Sequence, residues 1–290
     1  MTARHLPSIL AVAAFVSWNA LAAPAEAPAS DFGYTIKDKK VTLTKYTGDA
    51  TELLIPEKIE KYPVTELGEK LFEGNASLVR VSIPDTVTWI GNVCFYNCSS
   101  LESFKLPKNL YGIGFGCFHG CAKLKDLSFP KRIRVFGALF SYCHSLGTLI
   151  TGDGIQLLKI SADVREYTVP ASIREVAAGA LGSQQIESVI FEKGTTHIGL
   201  HAFNNSKNLI SVTLPKTLEA IRAAFQECPS LTEVIFMGDC PKTDKDLFKG
   251  TPDVTVYYNP SHGDGSPALA ASGQSTTCRS SRSTRRSSPR

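Results

Sequence analysis

Residues 83–107 read IPDTVTWIGNVCFYNCSSLESFKLP, and residues 106–130 read LPKNLYGIGFGCFHGCAKLKDLSFP. Laid one over the other, they align at Ile, Gly, Cys, Phe, Cys, Leu and a closing Pro. Pro84, Pro107 and Pro130 follow one another at intervals of 23 residues. Working outward, residues 62–84 (YPVTELGEKLFEGNASLVRVSIP) are another copy, and residues 129–153 (FPKRIRVFGALFSYCHSLGTLITGD) a degenerate one. After an irregular stretch the pattern resumes at residues 171–215 and continues through 216–239, giving seven units in all. A fixed period of this length is the signature of a repeat architecture, in which neighbouring units must stack to bury the apolar edge that none can bury alone.

Each slot has a physical task. The L-x-x-V-x-I segment alternates apolar and polar residues, as a strand with one buried face does. Proline closes that strand because it has no N–H for a ladder. Gly91, Gly114, Gly137 and Gly199 are expected to permit a turn that a side chain resists. The column Phe72, Phe95, Phe118, Phe140, Phe203 and Phe225 is expected to lie in a short helical or irregular return leg and to fill the core. Stacked units then place their strands about 4.8 Å apart, in one continuous parallel sheet along a coil.

Composition narrows the function. A chain that is 43% hydrophobic and 20% charged buries a large core and is not a disordered tail. Arg4 and His5, an apolar run from Leu6 to Val16 and the Ala20-Leu21-Ala22 site read as a secretory signal peptide over 1–22. That run is shorter than the roughly 20 residues of a membrane span, so no transmembrane segment is expected. The net charge of +4 owes much to Arg279, Arg282, Arg285, Arg286 and Arg290; setting these and Arg4 aside lowers it to −2. Such a body lacks the basic face of a nucleic-acid binder, and no nucleic-acid partner is expected. The expected organisation is a linker over 23–32, an N-terminal β cap over 33–66, repeats with a closing strand over 67–260, and a disordered Ser- and Arg-rich tail over 261–290.

No residue set reads as catalytic, metal-binding or cofactor-binding. Cys94 and Cys98, then Cys117 and Cys121, follow the repeat period, which leaves three readings. Cys98, Cys121, Cys143 and Cys228 could fill one small buried slot; neighbouring rungs could bring Cys98 and Cys121 within disulfide reach; a zinc site lacks the second matching pair. His197 and His201 form H-x-x-x-H without the glutamate of a zinc peptidase and occupy repeat slots equivalent to Trp89 and Val93. Gly112, Gly114 and Gly116 follow no long strand and open no long helix, which reads as a turn rather than a phosphate loop.

What remains is the outward side of the strands. Arg80, Ser82, Ser103, Lys105, Asp126, Ser128, Thr148, Ser188, Ser211, Thr213 and Glu233 form a strip of small hydroxyls and mixed charges, joined by Ile150, Ile190 and Ile235. Solenoids commonly use such an extended face for partners, although the same residues also make a passive sheet surface.

The repeat landmarks I-G, F, C and L-x-x-V-x-I-P resemble those of the BspA-like leucine-rich repeat family. The likeness extends over about residues 33–260, from the leader FGYTIKDKKVTLTKYTGDATELLIPEKIEKYPVTELG to the closing segment FMGDCPKTDKDLFKGTPDVTVYYNP. It implies an α/β leucine-rich repeat solenoid opened by a β-hairpin cap. It also implies a non-enzymatic protein, secreted or at the cell surface, with a role in adhesion or protein recognition; the expected partner is a protein or glycan on a cell surface or matrix, and the expected state a monomer. The rival is a structural spacer with no specific ligand. Two departures stand out: Thr151–Pro170 lacks the Phe and Cys slots, so a distorted coil is expected there, and the tail replaces the family's glycine- and tryptophan-containing end.

Overall fold

The structure is a computed structural model that describes residues 26–258, apart from 126, 131, 132, 184, 240, 242, 244, 245, 252 and 253, together with 277–280. The signal peptide, the first residues of the linker, Asp126, Cys240 and most of the tail lie outside the described residues.

The chain winds as a β-solenoid, each rung giving one strand to each of two walls. The front wall is built from the L-x-x-V-x-I segments. Its first part joins Glu52–Leu54, Arg80–Ser82 and Ser103–Lys105. Its second joins Glu166–Val169, Ser188–Phe191, Ser211–Leu214, Glu233–Phe236, Thr255–Tyr258 and Thr277–Ser280. All these pairs are parallel, as stacking of like rungs requires. The side wall opens with the antiparallel hairpin Phe32–Lys37 and Lys40–Tyr46. Tyr62–Leu67, Trp89–Ile90, Gly112–Ile113 and Arg134–Val135 follow it in parallel. After an interruption this wall resumes with Gln156–Lys159, Glu175–Val176, His197–Ile198 and Ala220–Ile221.

The expectation of one continuous sheet is therefore corrected: both walls break around residues 126–165. There the front segment of the degenerate unit, Leu149–Ile150, turns back through a tight hairpin with Gly154 at φ +73° and pairs antiparallel with Gln156–Lys159. The hairpin draws Leu149–Ile150 out of the front wall, whose second run of strands starts at Glu166–Val169. Within the segment expected to be a disordered tail, Thr277–Ser280 pairs in parallel with Thr255–Tyr258.

Of the two alternatives for the return legs, the helical one is corrected, and with it the α/β class. The described residues hold one short 3₁₀ turn, Ala29–Asp31, and no α-helix. Two left-handed residues bracket each phenylalanine: Val93 (φ +46°) and Asn97 (+56°) around Phe95, Gly116 (+62°) and Gly120 (+73°) around Phe118, His201 (+58°) and Asn205 (+60°) around Phe203. A right-handed helix cannot pass through such residues. The N–H groups at these three places donate to the next rung instead: Val93 to Phe115 O, Phe95 to Cys117 O and Asn97 to His119 O, at 2.7–2.9 Å. The leg is thus a third ladder of inter-rung bonds, which satisfies buried backbone groups without a helix.

The core runs inside these walls as a single apolar cluster. Its spine is the phenylalanine column, with ring centroids 4.9 Å apart for Phe72–Phe95 and 5.6 Å for Phe95–Phe118 and Phe118–Phe140. Phe203–Phe225 and Phe225–Phe248 continue it at 4.9 and 5.5 Å. Across the break Ile160 and Leu181 take the phenylalanine slot: their N–H groups donate to Ala180 O and Ala202 O, as Phe203 N–H does to Ala224 O. A fully buried side chain of this size stabilises by about 1.5–3 kcal/mol, and stacking adds about 0.5–1.5 kcal/mol per aromatic pair.

The glycines hold a different place from the one expected. Gly91, Gly114 and Gly199 are not in left-handed turns; a Cβ on each would lie 2.5–2.6 Å from a backbone nitrogen of the preceding rung. They exist so that rungs can approach. Gly137 does have φ +72°, but it is not in that column, because the register puts Phe136 beside Gly114.

Candidate binding surfaces

The front wall carries the expected strip in two pieces. In the first, Glu52, Arg80 and Ser103 align across three strands, and Ser82 aligns with Lys105. Arg80 is tied to Glu52 at 3.2 Å, an exposed pair worth at most about 1 kcal/mol. In the second, Glu166, Ser188, Ser211, Glu233 and Thr255 form one column, and Thr168, Ile190, Thr213, Ile235 and Tyr257 the next. Ser128 and Thr148 are exposed but lie outside any strand, at the break, and Asp126 is outside the described residues. Ile150 is drawn into the other wall. The structure thus keeps the strip as two facets rather than one face.

The cysteine column serves the scaffold. Cys98, Cys121, Cys143 and Cys228 are buried free thiols. Each donates to the carbonyl of the phenylalanine slot one rung back: Phe72 O, Phe95 O, Phe118 O and Phe203 O, at 2.9–3.1 Å. Thr251 fills the same slot, its hydroxyl donating to Phe225 O. The slot therefore asks for a small donor, which the reading as a compact apolar residue did not include. Cys98 and Cys121 are not bridged; their sulfurs serve separate carbonyls. Burial pushes the Cys98 thiol up to about 12 and Cys143 to about 11, so neither is a nucleophile at neutral pH.

His197 is an exposed residue of the side wall, its Nδ1 2.9 Å from the Thr196 hydroxyl, while His201 is one of the left-handed residues of a return leg. The described residues contain no cluster of three or more metal-ligating side chains. They also contain no helix long and apolar enough to cross a membrane.

One surface was missed by the sequence reading. On the side wall, Tyr111, Phe115 and Phe136 are 53%, 58% and 47% exposed, and half-buried Trp89 packs edge-on against Phe136 at 5.6 Å. The Arg134 guanidinium lies 5.1 Å from the centre of the Tyr111 ring, a cation–π contact. Two glycines seat these rings: a Cβ at Gly112 would meet the Trp89 ring at 2.5 Å, and one at Gly137 would meet the Phe115 ring. The available signal was the set of aromatics standing off the phenylalanine period, next to Gly112 and Gly137.

Parallel rungs and stacked return legs define a solenoid of the leucine-rich repeat class. The chain belongs to the BspA type leucine rich repeat family, whose pattern it matches in 6 copies over residues 46–163 and 160–262. No curated relative matches it. Among solved structures it is similar to the T. pallidum leucine rich repeat protein TpLRR, at 28% identity over 72% of this chain and 81% of that one, with a TM-score of 0.46. It is similar to a leucine rich cell surface protein of Faecalibacterium prausnitzii A2-165, at 19% identity over 87% and 99%, TM-score 0.33. The pneumococcal vaccine antigen PcpA is similar at 20% identity over 79% and 80%, TM-score 0.45.

Proposed function

We propose that this chain is a secreted or cell-surface module that holds a protein partner without making or breaking a bond. Its contact centres on the side-wall aromatic patch. The observation that carries this reading is the patch itself: Tyr111, Phe115 and Phe136 exposed together, beside Trp89 and with Arg134 stacked on Tyr111. Solitary exposed apolar residues need no explanation, but a contiguous aromatic group marks an interaction site. Trp, Tyr and Arg are also the residues that dominate interface energies. The front-wall residues Arg80, Ser82, Ser103 and Lys105, with Ser188, Ser211, Thr213 and Glu233, offer separate polar facets for weaker contacts. The family's character as a surface protein supports an extracellular location.

The test compares saturable binding of the native chain to cell-surface and matrix extracts with that of Tyr111→Ser/Phe136→Ser and of Ser103→Glu/Lys105→Glu. Both pairs lie on the surface and should fold. The aromatic pair is expected to weaken binding by about a hundredfold, in the range of hot-spot losses, and the polar pair by less. Absence of saturable binding by the native chain would instead make it a spacer, and a larger loss from the polar pair would move the site to the front wall.

A further inference from the structure

The break in the walls holds a feature that the repeat does not explain. The second left-handed position of the return leg is occupied by Gly74, Asn97, Gly120, Tyr142, Asn205, Glu227 and Gly250 in successive regular rungs. Glycine and asparagine enter that conformation readily, while a bulky aromatic does so at a cost in strain. Tyr142 holds it at φ +61°, and the residue is 65% exposed, outside the core. Neither core packing nor local conformational preference accounts for a tyrosine here. Strain kept at a surface position points to a task for the side chain.

Its surroundings supply that task. Tyr142 lies across the end of a short ladder in which Tyr96 and His119 stack at 4.6 Å; its own ring is turned 64° to His119 at 5.0 Å. Because it is turned out of the stack, Tyr142 is the member that can offer a ring face. On its other side it touches His144, with ring centroids 6.2 Å apart. His144 in turn lines an open groove of about 640 Å³ shared with Ser161, Asp163, Arg165 and Gln185. The groove exists because the shortened rung replaces a full return leg with the tight turn around Ala162. Its polar groups are positioned beforehand: Arg165 is held by Glu187 at 2.9 Å, and Asp163 accepts from the Ser161 hydroxyl.

We propose that Tyr142 and this groove bind a neutral oligosaccharide, with one sugar ring lying on the tyrosine and the hydroxyls of the next paired by His144, Asp163, Arg165 and Gln185. A flat aromatic face suits the C–H face of a pyranose ring. A mixed set of donors and acceptors, with the Asp163 carboxylate and an Arg165 guanidinium already neutralised by Glu187, suits vicinal hydroxyls and leaves no unpaired guanidinium for an anion to seek. The groove is too polar and open for an apolar ligand, which needs an enclosed, mostly apolar pocket. This site is distinct from the aromatic patch of the side wall.

The test is calorimetric titration of the full chain with cellohexaose, chitohexaose and maltohexaose, which separates linkage and substituent. At least one is expected to saturate a single site. Tyr142→Gly should weaken it about tenfold or more, with a melting temperature at or above that of the native chain, because glycine relieves the backbone strain. Arg165→Ala should weaken the same sugar. No saturable binding by any of the three, or unchanged affinity in Tyr142→Gly, would overturn the proposal. So would a lower melting temperature in Tyr142→Gly, which would make the tyrosine a structural residue.

Discussion

At the scale of single residues, the repeat rests on side chains that do two things at once. The thiol of Cys98 fills a small buried volume and also satisfies the Phe72 carbonyl, which has no water to turn to. Cys98→Ser keeps a donor and should leave stability nearly unchanged, as Thr251 does in the equivalent slot. Cys98→Ala removes it and should cost about 1–3 kcal/mol. Urea unfolding of the two variants decides, and equal losses would reduce the slot to simple packing. Its place in the period and its burial were legible in the sequence. The donor role was not, because it depends on a carbonyl in another rung that no local pattern specifies.

His119 gives a second residue-level prediction. Its stacking under Tyr96 partly buries the ring, and desolvation lowers its pKa. A group whose folded pKa lies below its unfolded value binds more protons when unfolded. It therefore contributes stability that is present above the ordinary histidine range near 6.5 and is lost as pH falls through that range. The melting temperature should drop between about pH 7 and pH 5, and part of that drop should vanish in His119→Gln. An identical pH profile in the variant would remove His119 from the account.

At the scale of elements, rung spacing is set by backbone approach. The missing Cβ of Gly114 leaves room for the Asn92 backbone nitrogen, 2.5 Å from where that Cβ would stand. Gly114→Ala must push two rungs apart and should destabilise by about 1–3 kcal/mol, read as a lower urea midpoint. A midpoint equal to wild type would show that the rungs have slack. The glycine column was visible in the sequence but was assigned to turns, since a close approach between neighbouring rungs leaves the same residue type as a turn does. The helical alternative for the return legs stayed open for a related reason. Their apolar spacing fits a helix, and the contrary signal lay in Asn97, Gly116, Gly120 and Asn205, residues that favour left-handed backbone.

At the scale of the whole molecule, one apolar core passes through a scaffold whose walls are cut. The family, the coil and the phenylalanine spine could be read from the repeated slots, and so could a distortion near Thr151–Pro170. The departure of Leu149–Ile150 from the front strip could not, because it rests on an antiparallel pairing with Gln156–Lys159 that the slot does not prescribe. The side-wall patch and the Tyr142 groove were equally hidden, since both arise where aromatics depart from the period. The function proposed here lives in those departures, while the repeat supplies the rigid frame.

The frame stands on return legs bonded between rungs, and this is measurable by NMR scalar coupling across hydrogen bonds in the labelled protein. The coupling from the Phe95 amide nitrogen should appear at the Cys117 carbonyl carbon, one rung on. A coupling from Phe95 to the Gly91 carbonyl, four residues back as in an α-helix, would contradict the stacked legs and the solenoid built on them.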